Sequence, residues 1–114
     1  MESFNYSGYD KCPIRQVVSK FSDKWSMLVL TTLDQSEHGA MRYTEIQRQM
    51  ADCSQKMLSQ TLRNLEAAHL VSRKAYPVVP PRVEYALTDL GRSLMPSINS
   101  LIKWALANFE KVVA

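Results

Sequence analysis

Four side chains are of the kinds that hold metals or attack electrophiles: Cys12, His38, Cys53 and His69. Zinc ligands usually come in close pairs such as C-x2-C or H-x3-H, and none of the four has such a neighbour. No metal site is therefore expected. No nucleophile with a partner histidine and no acid–base pair stands out, which sets an enzyme aside. Glycine occurs only at Gly8, Gly39 and Gly91, too far apart for GxGxxG or a Walker loop. No cofactor is expected.

The more informative chemistry is cationic and amide-bearing. Residues 54–88 hold Lys56, Arg63, Arg73, Lys74 and Arg82 against Glu66 and Glu84. That local excess equals the net charge of the whole chain, +3. Such a patch suggests a polyanion partner, although a charge cluster alone is more often a solvated face.

These residues need elements to position them. The chain has 114 residues, 46% hydrophobic and 22% charged, which suits one globular domain and argues against a disordered chain. No apolar run approaches the ~18 residues of a membrane span, and the N-terminus lacks the order of a secretory signal. A cytoplasmic chain with reduced thiols and no membrane partner is expected. Residues 1–11 read as a loose arm, and residues 12–114 as a single domain.

A first helix is expected from Cys12-Pro13, with Ile14, Val17, Val18 and Phe21 as its apolar stripe. Ser22 or Asp23 caps a second, carrying Trp25, Leu28, Val29 and Leu33. A third starts near Tyr43-Thr44, with a capping box over Thr44–Gln47, and ends near Met50. Ser54 caps a fourth, to about Ala68. Leu58, Leu62 and Leu65 share one side of it, with Lys56, Ser59, Gln60, Arg63 and Ala67 opposite. The last two helices make a helix-turn-helix candidate.

Val71–Tyr76 and Arg82–Leu87 read as strands joined by a proline-stiffened tip. A helix-turn-helix followed by such a hairpin is a winged helix, mainly α with a small β-hairpin. Thr88 caps a last helix, about residues 89–113, that Pro96 should kink. Its apolar stripe is wider than one small domain needs, which suggests a second subunit. The expected dimer surface comes from the N- and C-terminal helices: Ile14, Val17, Phe21, Ile98, Leu101, Ile102, Ala105 and Phe109.

The chain resembles the HxlR-type family of bacterial winged-helix transcription regulators. The resemblance is carried by Cys12-Pro13-Ile14, Lys24-Trp25, Arg42–Ile46, the run Ser54–Glu66, Leu70-Val71, Tyr76-Pro77, Val79–Tyr85, Leu87-Thr88, Leu90-Gly91 and Trp104, nearly the whole chain. Ser22-Asp23 depart from a pair of positions where glycines are common. His69 stands where a helix-ending glycine is common, a place histidine tolerates better than most residues.

The resemblance implies a homodimer on a partly palindromic DNA operator. The fourth helix is then the recognition helix in the major groove. Gln55 and Gln60 could read adenine, Lys56 and Arg63 guanine or phosphate, and Ser54 and Ser59 phosphate near the helix N-terminus. Arg82 beside the hairpin tip could enter a minor groove, with Lys74, Arg73 and Lys24 on phosphates. The resemblance also implies an oxidant or electrophile response through Cys12, where a helix N-terminus and nearby Lys11 and Arg15 favour the thiolate. A small-molecule inducer stays open. The competing reading is a winged helix used only for protein contacts, which salt-insensitive binding would favour.

Overall fold

The computed structural model describes residues 12–114, so the arm expected over residues 1–11 lies outside the described residues. Helix α1 is a single turn, Pro13–Gln16, followed by a 3-10 turn at Val18–Lys20. The longer first helix expected from the sequence is therefore broken. The β-branched pair Val17-Val18 sits at the break, and neither α1 nor the 3-10 turn contributes a buried residue to hold a longer helix down. Helix α2, Lys24–Asp34, is capped by Asp23, whose carboxylate accepts from the Ser26 amide at 3.0 Å. It buries Val29, Leu30 and Leu33.

A two-residue strand β1, Met41–Arg42, leads into α3, Tyr43–Gln49. Here the capping box lies two residues earlier than the sequence suggested. Arg42 occupies the cap, and its amide donates to Glu45 Oε1 at 3.0 Å. Glu45 thus meets Arg42 through the backbone, not through its guanidinium. After a short turn comes α4, Gln55–Ala67, then β2, Val71–Tyr76, and β3, Arg82–Leu87. The sheet is antiparallel in the order β1-β3-β2, so the hairpin gains a third strand that the sequence reading lacked.

Helix α5, Asp89–Ala107, runs through Pro96, and α6, Phe109–Val113, follows a break at Asn108. The Asn108 backbone amide and side-chain amide both donate to the Trp104 carbonyl, at 3.0 and 2.9 Å, which closes the last turn of α5.

One core unites these elements. Leu58, Leu62 and Leu65 of α4 pack with Val29 and Leu30 of α2, Ile46 of α3, Val71 and Leu87 of the hairpin, and Met95 and Ile98 of α5. The end of α4 and the start of α5 are tied together at one joint. His69 takes a left-handed φ of 64°, and Leu70 donates back to the Leu65 carbonyl at 3.0 Å, closing α4 in a Schellman turn. Thr88 then donates its amide to Leu70 O (3.1 Å) and its hydroxyl to His69 O (2.7 Å), while its Oγ1 caps the Gly91 amide at 3.0 Å.

Candidate nucleic-acid interface

The four apolar or small residues on the inner side of α4 (Leu58, Thr61, Leu62, Leu65) are buried, which fixes the rotation of the helix about its axis. That rotation exposes Gln55, Lys56, Gln60 and Arg63 and leaves Ser59 half-buried. Ser54 holds the N-terminus by accepting from the Met57 amide at 3.1 Å. Its oxygen is thus engaged inside the helix, leaving the hydroxyl proton for an outside acceptor. Gln60 Nε2 donates to Asn64 Oδ1 at 2.9 Å, so the amide is held along the helix face.

Tyr43 was not among the expected site residues. Its hydroxyl donates to the Gln55 carbonyl at 3.1 Å and accepts from Ser59 Oγ at 3.3 Å. The phenol of α3 therefore fastens the first turn of α4. No sequence period signals this link, because it joins residues across the turn.

Between α4 and the sheet lies an open cleft of about 420 Å³ lined by Tyr43, Ser59, Arg63, Glu66, Arg73 and Tyr85. Two guanidiniums and three hydroxyls face one carboxylate there. Guanidinium forks suit phosphate oxygens, and hydroxyl donors add to them.

In the wing, Arg82 opens β3 beside the tip, where the sequence sets it. It is half-buried on the flank of the hairpin, its guanidinium 4.3 Å from the centre of the Tyr76 ring and its Nε 3.7 Å from Glu84 Oε2. Tyr76 and Arg82 are cross-strand partners, which brings them together. Lys74 lies 5.0 Å from the same ring, two residues along β2 on the same face. The period of two along a strand was the signal that could have found this platform. The tip itself offers Val78 and a fully exposed Val79. Lys24 is exposed at the start of α2, 4.8 Å over Trp25.

Both cysteines are free thiols and both are buried. Cys12 is 2% exposed, at the cap of a helix only four residues long, so it is not the open site at a full helix N-terminus that the sequence suggested. Cys53 joins the core just before the Ser54 cap. Burial pushes its thiol above the ordinary value, Asp52 adds to this, and Lys24 partly offsets it. Among the described residues no three His, Cys, Asp or Glu side chains gather into a metal-holding group.

Of the residues expected on a subunit interface, Ile98 is 3% exposed and packs inside its own chain. Phe21 and Ile102 are half-covered by that core and half open. Ile98 alone is corrected to internal packing, because α5 folds over the same cluster. Ile14, Val17, Leu101, Ala105 and Phe109 are exposed.

A helix-turn-helix whose second helix is presented beside a β-hairpin is a winged helix. The chain belongs to the HxlR-like helix-turn-helix family, whose model matches residues 20–113. It is 42% identical over 105 residues to an uncharacterized HTH-type transcriptional regulator of Methanothermobacter thermautotrophicus, covering 87% of this chain and 78% of that one. It is 37% identical over 105 residues to YtfH of Escherichia coli K12, covering 92% and 81%. Among solved structures, the redox regulator HypR in its reduced form superimposes with a TM-score of 0.79 at 32% identity, over 88% of this chain and 96% of that one. No helix among the described residues is long and apolar enough to cross a membrane.

Proposed function

We propose that the protein is a sequence-specific DNA-binding regulator that acts as a homodimer on a partly palindromic operator. One observation carries this reading: the exposed amide and cation face of α4 continues across an arginine-lined cleft onto the wing. Gln55, Lys56, Gln60 and Arg63 meet base edges or phosphates in the major groove. Arg63 and Arg73 grip a backbone phosphate from the two sides of the cleft, and Lys74, Arg82 and Lys24 add charge around it. Ser54 and Ser59 lie near the helix N-terminus, where a phosphate is favoured.

Dimerisation follows from what one chain leaves uncovered. Leu101, Trp104, Phe109 and Val112 are each more than half exposed along α5 and α6. The radius of gyration is 16.0 Å, against the roughly 13 Å of a compact domain this long. A two-fold partner would cover the apolar face and place two recognition helices on successive major grooves. Selection of the purified protein against a random duplex pool tests the whole reading. An enriched consensus with two-fold symmetry supports it. An unenriched pool sinks it, and would favour a module for protein contacts.

An oxidant response through Cys12 is a second reading, favoured by the likeness to a redox regulator. Helix α1 buries no residue of its own, so lifting it to reach the thiol costs little packing. DNA affinity that diamide leaves unchanged, or that falls equally in Cys12→Ser, removes this reading.

A further inference from the structure

A cavity of about 520 Å³ lies where the 3-10 turn, the end of α4 and the first half of α5 meet. That volume is within the roughly 300–1,000 Å³ of small-molecule sites. Val17, Phe21, Ala68, Leu70, Leu90 and Leu94 make most of its wall apolar. The single charged residue on that wall is Lys20. Among the described residues the ion pairs are Arg82–Glu84 and Arg92–Asp89, so the Lys20 ammonium has no carboxylate partner there. Ser93 and Ser97 add hydroxyls on the α5 side.

An apolar hollow edged by one cation, which forms no ion pair among the described residues, complements a small ligand of the same pattern. We propose that this cavity binds a small apolar carboxylic acid in its anionic form, and that occupancy resets the joint between α4 and α5. The ring or chain of the acid leaves water against Phe21, Leu70 and Leu94, while the carboxylate meets Lys20. A neutral ligand gains nothing from the cation, and a nucleotide finds too few donors.

The site is placed to act on α4. Leu70 lines the cavity, and its carbonyl is the acceptor for Thr88 at the start of α5. It also lies against Gly91, so closely that a Cβ there would come within 2.2 Å of the Leu70 oxygen. A ligand that displaces Leu70 has no slack to absorb the shift and moves α4 against α5. The regulatory half of the proposal rests on the DNA-binding reading; the binding half does not.

The test is calorimetric titration of the full chain with 1-naphthoate, and with neutral 1-naphthalenemethanol as the comparison. One naphthoate is expected per chain. Lys20→Gln, an exposed change, should weaken naphthoate at least ten-fold and leave the alcohol unchanged. Ser93→Phe, which fills the cavity from α5, should abolish both. No saturable naphthoate binding to the full chain would overturn the proposal. Equal naphthoate affinity in native chain and Lys20→Gln would overturn it too. At saturation naphthoate should change the DNA dissociation constant of the native chain and not that of Ser93→Phe. Ligand binding with no such change would overturn the regulatory half alone.

Discussion

The hydroxyl of Tyr43 donates to the carbonyl of Gln55 at 3.1 Å and so ties the first helix of the helix-turn-helix to the first turn of the second. The same hydroxyl accepts from Ser59 Oγ at 3.3 Å. Loss of a hydrogen bond of this kind costs about 0.5–1.5 kcal/mol. Tyr43→Phe should therefore lower the unfolding free energy by that amount, read as a lower urea midpoint at constant m-value. It should also weaken DNA binding, because the reading face of α4 loses its stay. A midpoint equal to that of the native chain would show that the phenol does not hold the helix.

The joint at Leu70 and Gly91 leaves no room. A Cβ on Gly91 would stand 2.2 Å from the Leu70 oxygen and 3.3 Å from a Leu87 methyl. The Leu70 carbonyl cannot retreat without breaking its bond to the Thr88 amide. Gly91→Ala should destabilise the fold by roughly 1–3 kcal/mol or more, the usual cost of overpacking. Thermal unfolding followed by circular dichroism reads this directly, and an unchanged Tm would contradict the packing.

Cys53 gives the stability a pH signature. Its thiol is held above the ordinary value by burial and by Asp52. The unfolded chain then ionises first as pH rises. The contribution is fully present below the unfolded thiol value of about 8.5 and is lost as pH climbs from there through the folded value. Urea midpoints between pH 7 and 10 should fall more steeply for the native chain than for Cys53→Ala. Parallel curves would assign no role to this thiol.

The exposed strip on α5 and α6 makes a prediction about assembly. Trp104 and Phe109 are 58% and 59% exposed in one chain. Sedimentation should give twice the 13.0 kDa of the chain, and Trp104→Glu with Phe109→Glu should return it to monomer mass. A native chain that sediments as a monomer at micromolar concentration would contradict the dimer.

Much of this architecture was legible in the residues. Ser54 caps α4 and Thr88 caps α5 as their types suggest, because each offers a short oxygen next to the orphan amides of a first turn. The strands 71–76 and 82–87 fall where alternation and the prolines place them. His69 adopts the left-handed turn that its position demanded. The failures share a physical cause, since each depends on contacts between segments. Strand β1 is two residues long and has no period of its own; it exists by pairing Met41 and Arg42 with Tyr85 and Glu84. Ile98 joins its own core because α5 packs on α2, which no stripe on α5 alone could reveal. The stacking of Arg82 on Tyr76 exists only because the two face each other across the hairpin.

The face built by α4, Arg63, Arg73 and the wing is expected to grip DNA. Fluorescence anisotropy of the full chain on duplex from upstream of its own gene, repeated across a salt series, tests it most directly. Binding should be tighter than to a scrambled duplex, with a steep linear fall of log K with log salt. Arg63→Ala and Arg73→Ala should each reduce that slope by about one where the arginine holds a phosphate. Binding that ignores salt, or that is equal on both duplexes and unmoved by either substitution, would contradict it.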